Sequence, residues 1–139
     1  PTLVLDVAHN PHSVGALFAN LDAMGFYPCT HLVFGAMADK DLETMLQRMA
    51  PLADRWYFCD LPTPRAESAQ ALAGRWQALG LRAEAAVSTH PGPREALAAA
   101  TEAADPADRI VVFGSFFTVG GILEGGVPRL QAQHLRPGA

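Results

Sequence analysis

Lysine is almost missing from this 139-residue chain: nine of its ten basic residues are arginine, and Lys40 stands alone. With alanine so abundant, this looks like the coding bias of a GC-rich genome, which favours Arg wherever Arg works. A lysine kept against that bias hints that a compact ammonium is wanted at position 40. Cysteine is scarce as well. Cys29 and Cys59 form no C-x-x-C and sit in no His/Cys cluster. That excludes a disulfide scaffold and a zinc-finger type of site, and leaves two reduced, packed thiols in a cytoplasmic protein. Charge is thin, with 17% charged residues and a net charge of -4. A binder of nucleic acid held by phosphate contacts would need a basic face, so that class is excluded. No apolar run approaches the roughly 20 residues of a membrane span. No basic segment followed by an apolar one marks a signal peptide. Phosphate-binding motifs are absent too: there is no G-x-x-x-x-G-K-[ST], and Gly120-Gly121 completes no G-x-G-x-x-G. Gly114-Ser115-Phe116 lacks the second glycine of a hydrolase G-x-S-x-G elbow.

What the chain does have is apolar material, 50% of its residues, enough for one buried core and far from a disordered composition. It starts at Pro1 without Met and runs at once into Thr2-Leu3-Val4-Leu5-Asp6-Val7. The expectation is therefore one domain of a longer polypeptide.

Short apolar runs alternate with helical patterns. Strands are predicted over 2–7, 31–34, 56–59, 83–87 and 109–113. The first and last are rich in Val, Ile and Leu, as in strands buried on both faces. From Ser13, the apolar positions Val14, Leu17, Phe18 and Leu21 share one helical face, and His12 or Ser13 is the expected cap. Further helices are predicted over 41–49, over 67–79 before Gly80, from Pro93 to Ala104, and over 118–123. Residues 1–125 read as the domain and 126–139 as a tail. Strand and helix alternating five times over predict an α/β fold with a mostly parallel sheet of five to six strands and helices on both faces.

In such a sheet ligands bind beyond the carboxyl ends of the strands. Polar chemistry is concentrated there: Asp6 to His12 after the first strand, Gly35 to Asp41 after the second, Gly114 to Gly121 after the last. Asp6 fits either an acceptor for two ribose hydroxyls or a carboxylate tied to the amides of its own loop. His9 and His12 have H-x-x-H spacing, but Pro11 between them and the lack of a third ligand argue against a metal pair. His9 is placed by its loop to touch a substrate carboxylate or phosphate. Asn10, held extended before Pro11, can donate an amide to an anion or base. Lys40, between Asp39 and Asp41, is either a solvated charge paired with its neighbours or an anion site at a helix N-terminus. Phe116 and Phe117 are expected in the core rather than as an adenine platform.

Asp6-Val7-Ala8-His9-Asn10-Pro11-His12-Ser13 resembles the D-x-A-H-N-P signature of folylpolyglutamate and dihydrofolate synthases, within the Mur ligase superfamily. Met37-Ala38-Asp39-Lys40-Asp41 is similar to their M-x-D-K-D segment, and Gly114-Ser115 to the G-S after their last strand. The resemblance implies a Rossmann-like C-terminal domain of an ATP-dependent ligase. In that family an acyl phosphate forms on a folate or dihydropteroate carboxylate, and L-glutamate attacks it. The resemblance also implies roles: His9, Lys40 and Ser115 for glutamate, Asp6 and Asn10 for the nucleotide. ATP and Mg2+ are implied for the whole enzyme, with the P-loop and metal ligands in an N-terminal ATPase domain that partners this one. The domain alone then carries no catalytic residue and no metal. A free-standing nucleotide or small-molecule binding module is the alternative. A receiver-like domain fits poorly, because its Lys would follow the fifth strand and Lys40 follows the second.

Overall fold

The computed structural model describes residues 1–124 and the backbone of 131–136. Strands β1 (Thr2–Asp6), β2 (Thr30–Phe34), β3 (Arg55–Cys59), β4 (Ala86–His90), β5 (Arg109–Phe113) and β6 (Gln131–Arg136) form one sheet. Helices α1 (Pro11–Ala23), α2 (Leu42–Met49), α3 (Ala69–Leu79), α4 (Pro93–Ala103) and α5 (Phe116–Leu123) connect them. The order across the sheet is β4-β3-β2-β5-β1-β6, and every pairing is parallel. The predicted fold class is the observed one.

Side chains alternate between the two faces of a strand, so each strand feeds two cores. Val4, Leu32, Phe34, Trp56, Phe58, Val111 and Phe113 pack beneath α1, α2 and α3. Their neighbours Leu3, Leu5, Val33, Tyr57, Ile110 and Val112 pack beneath α4 and α5. This is why β1 and β5 read as unbroken apolar runs: neither face meets water. Cys59 lies in the second core. Burial, with the nearby Asp60 and Glu95 carboxylates adding to it, pushes its thiol up to about 12.

Two elements differ most from expectation. The fourth strand starts at Ala86, not Ala83, because residues 82–85 turn, with the Ala85 amide donating to Arg82 O at 3.1 Å. Arg82 is meanwhile drawn away to the Asp54 and Glu84 carboxylates. The polar tripeptide Ser88-Thr89-His90 hides the strand in sequence, since an edge strand needs little apolar material. Residues 131–136, expected within a tail, run as β6 along the outer edge of β1, where they satisfy its backbone groups. The remainder of that expected tail, 126–130 and 137–139, lies outside the described residues, as does residue 125.

The carboxyl ends of the central strands approach very closely. Gly114, straight after β5, has φ +121°, and a Cβ there would lie 2.2 Å from the carbonyl oxygen of Gly35, straight after β2. Gly114→Ala therefore forces both a disfavoured backbone conformation and separation of the two turns. The backbone strain alone is worth on the order of 1–3 kcal/mol. Urea unfolding is expected to show at least that loss, whereas a change below about 0.5 kcal/mol would mean the turn is free to relax.

Candidate functional site at the carboxyl edge of the sheet

Three loops meet at this edge. The first begins at Asp6, which is buried and accepts the Ala8 amide at 2.8 Å. Of the two readings of Asp6, the bond to its own loop is thus present. The loop then enters α1 through Asn10. Asn10 Oδ1 accepts the Ser13 amide at 2.8 Å, while Ser13 Oγ accepts the Asn10 amide at 3.2 Å. This reciprocal capping box replaces the expected cap at His12 or Ser13, and Pro11 takes the first helical position without wasting an amide. Asn10 therefore serves the helix with its oxygen. Among the described residues no bond engages its side-chain nitrogen, Nδ2. The His9 imidazole is half-buried, with Nδ1 3.2 Å from Val7 O and its ring centroid 5.9 Å from that of Phe116. A proton on Nδ1 facing that carbonyl leaves Nε2 as the nitrogen for a ligand, donating when the ring is protonated.

The second loop follows β2 and is zipped to the segment after β3. Ala38 N donates to Arg65 O and Glu67 N to Ala36 O, both at 2.9 Å. Lys40, half-buried, closes the loop by donating its amide to Met37 O at 3.3 Å. Asp41 caps α2, accepting the Thr44 amide at 3.3 Å and the Thr44 hydroxyl at 2.8 Å. Of the helix amides expected to greet a substrate anion, that of Thr44 is thus already met by Asp41. Among the described residues Lys40 makes no ion pair, so neither Asp39 nor Asp41 neutralises its ammonium.

The third loop is Gly114-Ser115. The Gly114 amide donates to Ala8 O at 2.9 Å, joining this turn to the first loop. Ser115 is buried and caps α5, accepting the Thr118 amide at 3.1 Å. Its hydroxyl also lies 2.8 Å from Thr118 Oγ1. Phe116 and Phe117, expected in the core, are 65% and 44% exposed. Of this short helix, Thr118, Val119 and Ile122 are the buried residues. The two phenylalanines line a cleft of about 260 Å³ with Pro62, Gly120, Gly121 and Glu124. Asp6, His9, Asn10, Lys40 and Ser115 therefore share one end of the sheet, as expected.

The amino end carries a separate cluster that sequence reading missed. His31 Nε2 lies 2.9 Å from Asp108 Oδ2, and Nδ1 lies 2.9 Å from the Tyr57 hydroxyl. Cys29 completes a group whose ligand atoms lie within 4.8 Å of one another. Both imidazole nitrogens are already engaged, so the group holds β2 to β5 rather than offering a metal a free nitrogen. Next to it, buried Arg109 donates to Thr30 Oγ1 and to Leu21 O and stacks over Tyr27 at 4.5 Å. The signal was a polar residue at the start of each central strand, visible only once β2 and β5 are known to be neighbours.

A parallel sheet with helices on both faces and a polar site beyond its central strands defines a Rossmann-like ligand-binding domain. Residues 1–116 match the Mur ligase, glutamate ligase domain, and the chain belongs to that family. It is 31% identical over 124 residues to the dihydrofolate synthase/folylpolyglutamate synthase of Escherichia coli, covering 89% of this chain and 28% of that one. It is 35% identical over 119 residues to a probable bifunctional folylpolyglutamate synthase/dihydropteroate synthase of Haloferax volcanii, covering 86% of this chain and 14% of that one. Among solved structures, Mycobacterium tuberculosis folylpolyglutamate synthase complexed with ADP superposes with a TM-score of 0.80 at 28% identity, over 93% of this chain and 30% of that one. The Yersinia pestis bifunctional folylpolyglutamate synthase/dihydrofolate synthase with Mn, AMPPNP and L-glutamate bound gives 0.75 at 32% identity, over 88% and 28%. The chain thus spans less than a third of each of these relatives. No described helix is long and apolar enough to cross a membrane.

The His31–Asp108 pair has a pH signature. Burial alone would raise the Asp108 carboxyl, but the bonds from His31 and the Asp105 amide outweigh it and hold its pKa below the usual value. A carboxylate depressed in the folded state stabilises the fold fully above its unfolded pKa, near 4, and loses that contribution as pH falls through the folded value. Asp108→Asn keeps an oxygen that can accept from His31 but loses the carboxylate's charge-assisted bonds, so a cost of about 1.5–3 kcal/mol is expected at pH 7. Urea melts should show the gap between wild type and variant narrowing from pH 5 to pH 3. A gap independent of pH would remove the pair as its source.

Proposed function

We propose that this chain is the glutamate-binding, nucleotide-closing domain of an ATP-dependent ligase that adds L-glutamate to dihydropteroate or a folylpolyglutamate. The observation that supports it most is the meeting of Lys40, His9 and Asp6 at one sheet edge, in a chain 32% identical to a synthase whose structure holds AMPPNP and L-glutamate. The reaction needs a carboxylate activated as an acyl phosphate and an amine brought against it. Fixing the carboxylates of the amino acid leaves its amine few orientations, and that restriction is the main service this chain supplies. Lys40, a point charge not neutralised by its neighbours, holds one carboxylate. His9, with a proton on Nε2 as well, donates to a second anionic oxygen. Asp6 accepts from ribose hydroxyls or orders the loop that does, and the Asn10 amide nitrogen faces the nucleotide side. Ser115 is not assigned to glutamate, because its hydroxyl is taken up inside the fold.

The divalent ion fits this chain poorly. Among the described residues the one His/Cys/Asp/Glu group able to hold a metal is at the opposite end of the sheet and already saturated. Mg2+ and the phosphates of ATP are therefore assigned to an N-terminal ATPase domain of the same polypeptide, and the enzyme to the cytoplasm. Burying a thiol as deeply as Cys59 without a disulfide agrees with that compartment.

In the longer enzyme Lys40→Ala should weaken glutamate and spare ATP. A charge-assisted bond is worth roughly 1.5–3 kcal/mol, so the glutamate KM should rise about ten- to hundredfold. Lys40→Arg should rescue only in part, because a planar fork approaches a carboxylate differently from an ammonium. Steady-state kinetics with each substrate varied decide it, and a loss confined to ATP would contradict the assignment.

A further inference from the structure

Thr118 is fully buried in the first turn of α5, and its side chain reaches across to the end of β2. Its Oγ1 lies 2.7 Å from Gly35 O, and a carbonyl can only accept, so the threonine proton is committed there. Oγ1 must then accept at its 2.8 Å contact with Ser115, which makes Ser115 Oγ–H the donor. Ser115 Oγ in turn accepts the Thr118 amide at 3.1 Å. The proton order is fixed: Ser115 to Thr118, Thr118 to Gly35. The chain of bonds ties the β5–α5 turn to the residue from which the Lys40 loop departs. Gly114, in the same turn, donates to Ala8 O at 2.9 Å, so the His9 loop is held to the same point.

We propose that Thr118 is a positioning residue that sets the Gly35-to-Lys40 loop against the His9 loop, and so sets where the Lys40 ammonium meets the amino-acid carboxylate. This rests on the reading that Lys40 holds glutamate. Without the Thr118 hydroxyl the Gly35 carbonyl and the Ser115 hydroxyl both lose a partner in a buried place, and the turn after β2 is left tied to the end of β5 by the long bond from the Gly35 amide to Phe113 O at 3.5 Å. Nucleotide contacts that start from Asp6 do not pass through this bond, so the two substrates should respond unequally.

The test uses the longer polypeptide and four variants: Thr118→Val, Thr118→Ser, Lys40→Ala and the double variant Lys40→Ala with Thr118→Val. Thr118→Val is nearly isosteric and is expected to raise the glutamate KM about three- to tenfold with the ATP KM unchanged. Thr118→Ser keeps the hydroxyl and should restore wild-type values. The double variant should be no worse than Lys40→Ala, since both changes act through one ammonium. Thr118 is overturned as a positioning residue if its Val variant leaves the glutamate KM unchanged, raises both KM values equally, or multiplies the Lys40→Ala defect. If Thr118→Val does not fold, Thr118→Ala takes its place. Failure of both to fold while Thr118→Ser folds would make the residue one of folding only, and would also overturn the proposal. An unaffected glutamate KM in Lys40→Ala, by contrast, removes the glutamate reading itself, and the proposal with it.

Discussion

Two glycine turns touch backbone to backbone at the centre of the sheet, and the rest of the molecule's functional end is built around that contact. Gly114 can sit against Gly35 O only because it has no side chain in the way and tolerates φ +121°. The approach brings the loops after β2 and β5 together, while the Gly114 amide draws in the loop after β1. A buried carbonyl so placed must be satisfied, and the Thr118 hydroxyl does this. Conformational freedom at one position, a buried polar group at a second and a helix cap at a third are thus one device.

The two cores make the device possible by leaving the central strands nothing else to do. Since Val111 and Phe113 face one core and Ile110 and Val112 the other, β5 has no polar face, and its polar residues fall at its ends. The carboxyl end carries Gly114 and Ser115. The amino end carries Asp108 and Arg109, which are bonded to His31 and Thr30 at the start of β2. One end is closed by a saturated network. At the other, no bond among the described residues saturates the Lys40 ammonium or one edge of the His9 ring.

Much of this was legible in sequence because it rests on local pattern. The alternation of apolar strands with helical spacing, the turn glycines and the strand-end position of Asp6, His9, Lys40 and Ser115 need no tertiary knowledge. What escaped depends on neighbours far apart in the chain. Whether Phe116 is core or surface depends on which side of α5 turns inward, and Thr118, Val119 and Ile122 take that side. Whether Ser115 can donate to a ligand depends on Thr118 and Gly35, the latter 80 residues away in the chain (115 - 35). The edge strand β4 was misplaced and β6 was read as tail, because strands at an edge need few apolar residues, which leaves propensity little to read. Asn10 was seen as a ligand group, yet its oxygen was already required by the amides of α1.

The account reduces to one claim, that the amino-acid carboxylate meets Lys40 at the junction of the three loops. A crystal structure of the longer polypeptide with L-glutamate and a non-hydrolysable ATP analogue measures this directly. Lys40 Nζ is predicted within about 3 Å of a glutamate carboxylate oxygen, with Thr118 Oγ1 still bonded to Gly35 O. Glutamate carboxylates held only by residues outside this chain, with Lys40 extended into solvent, would contradict it.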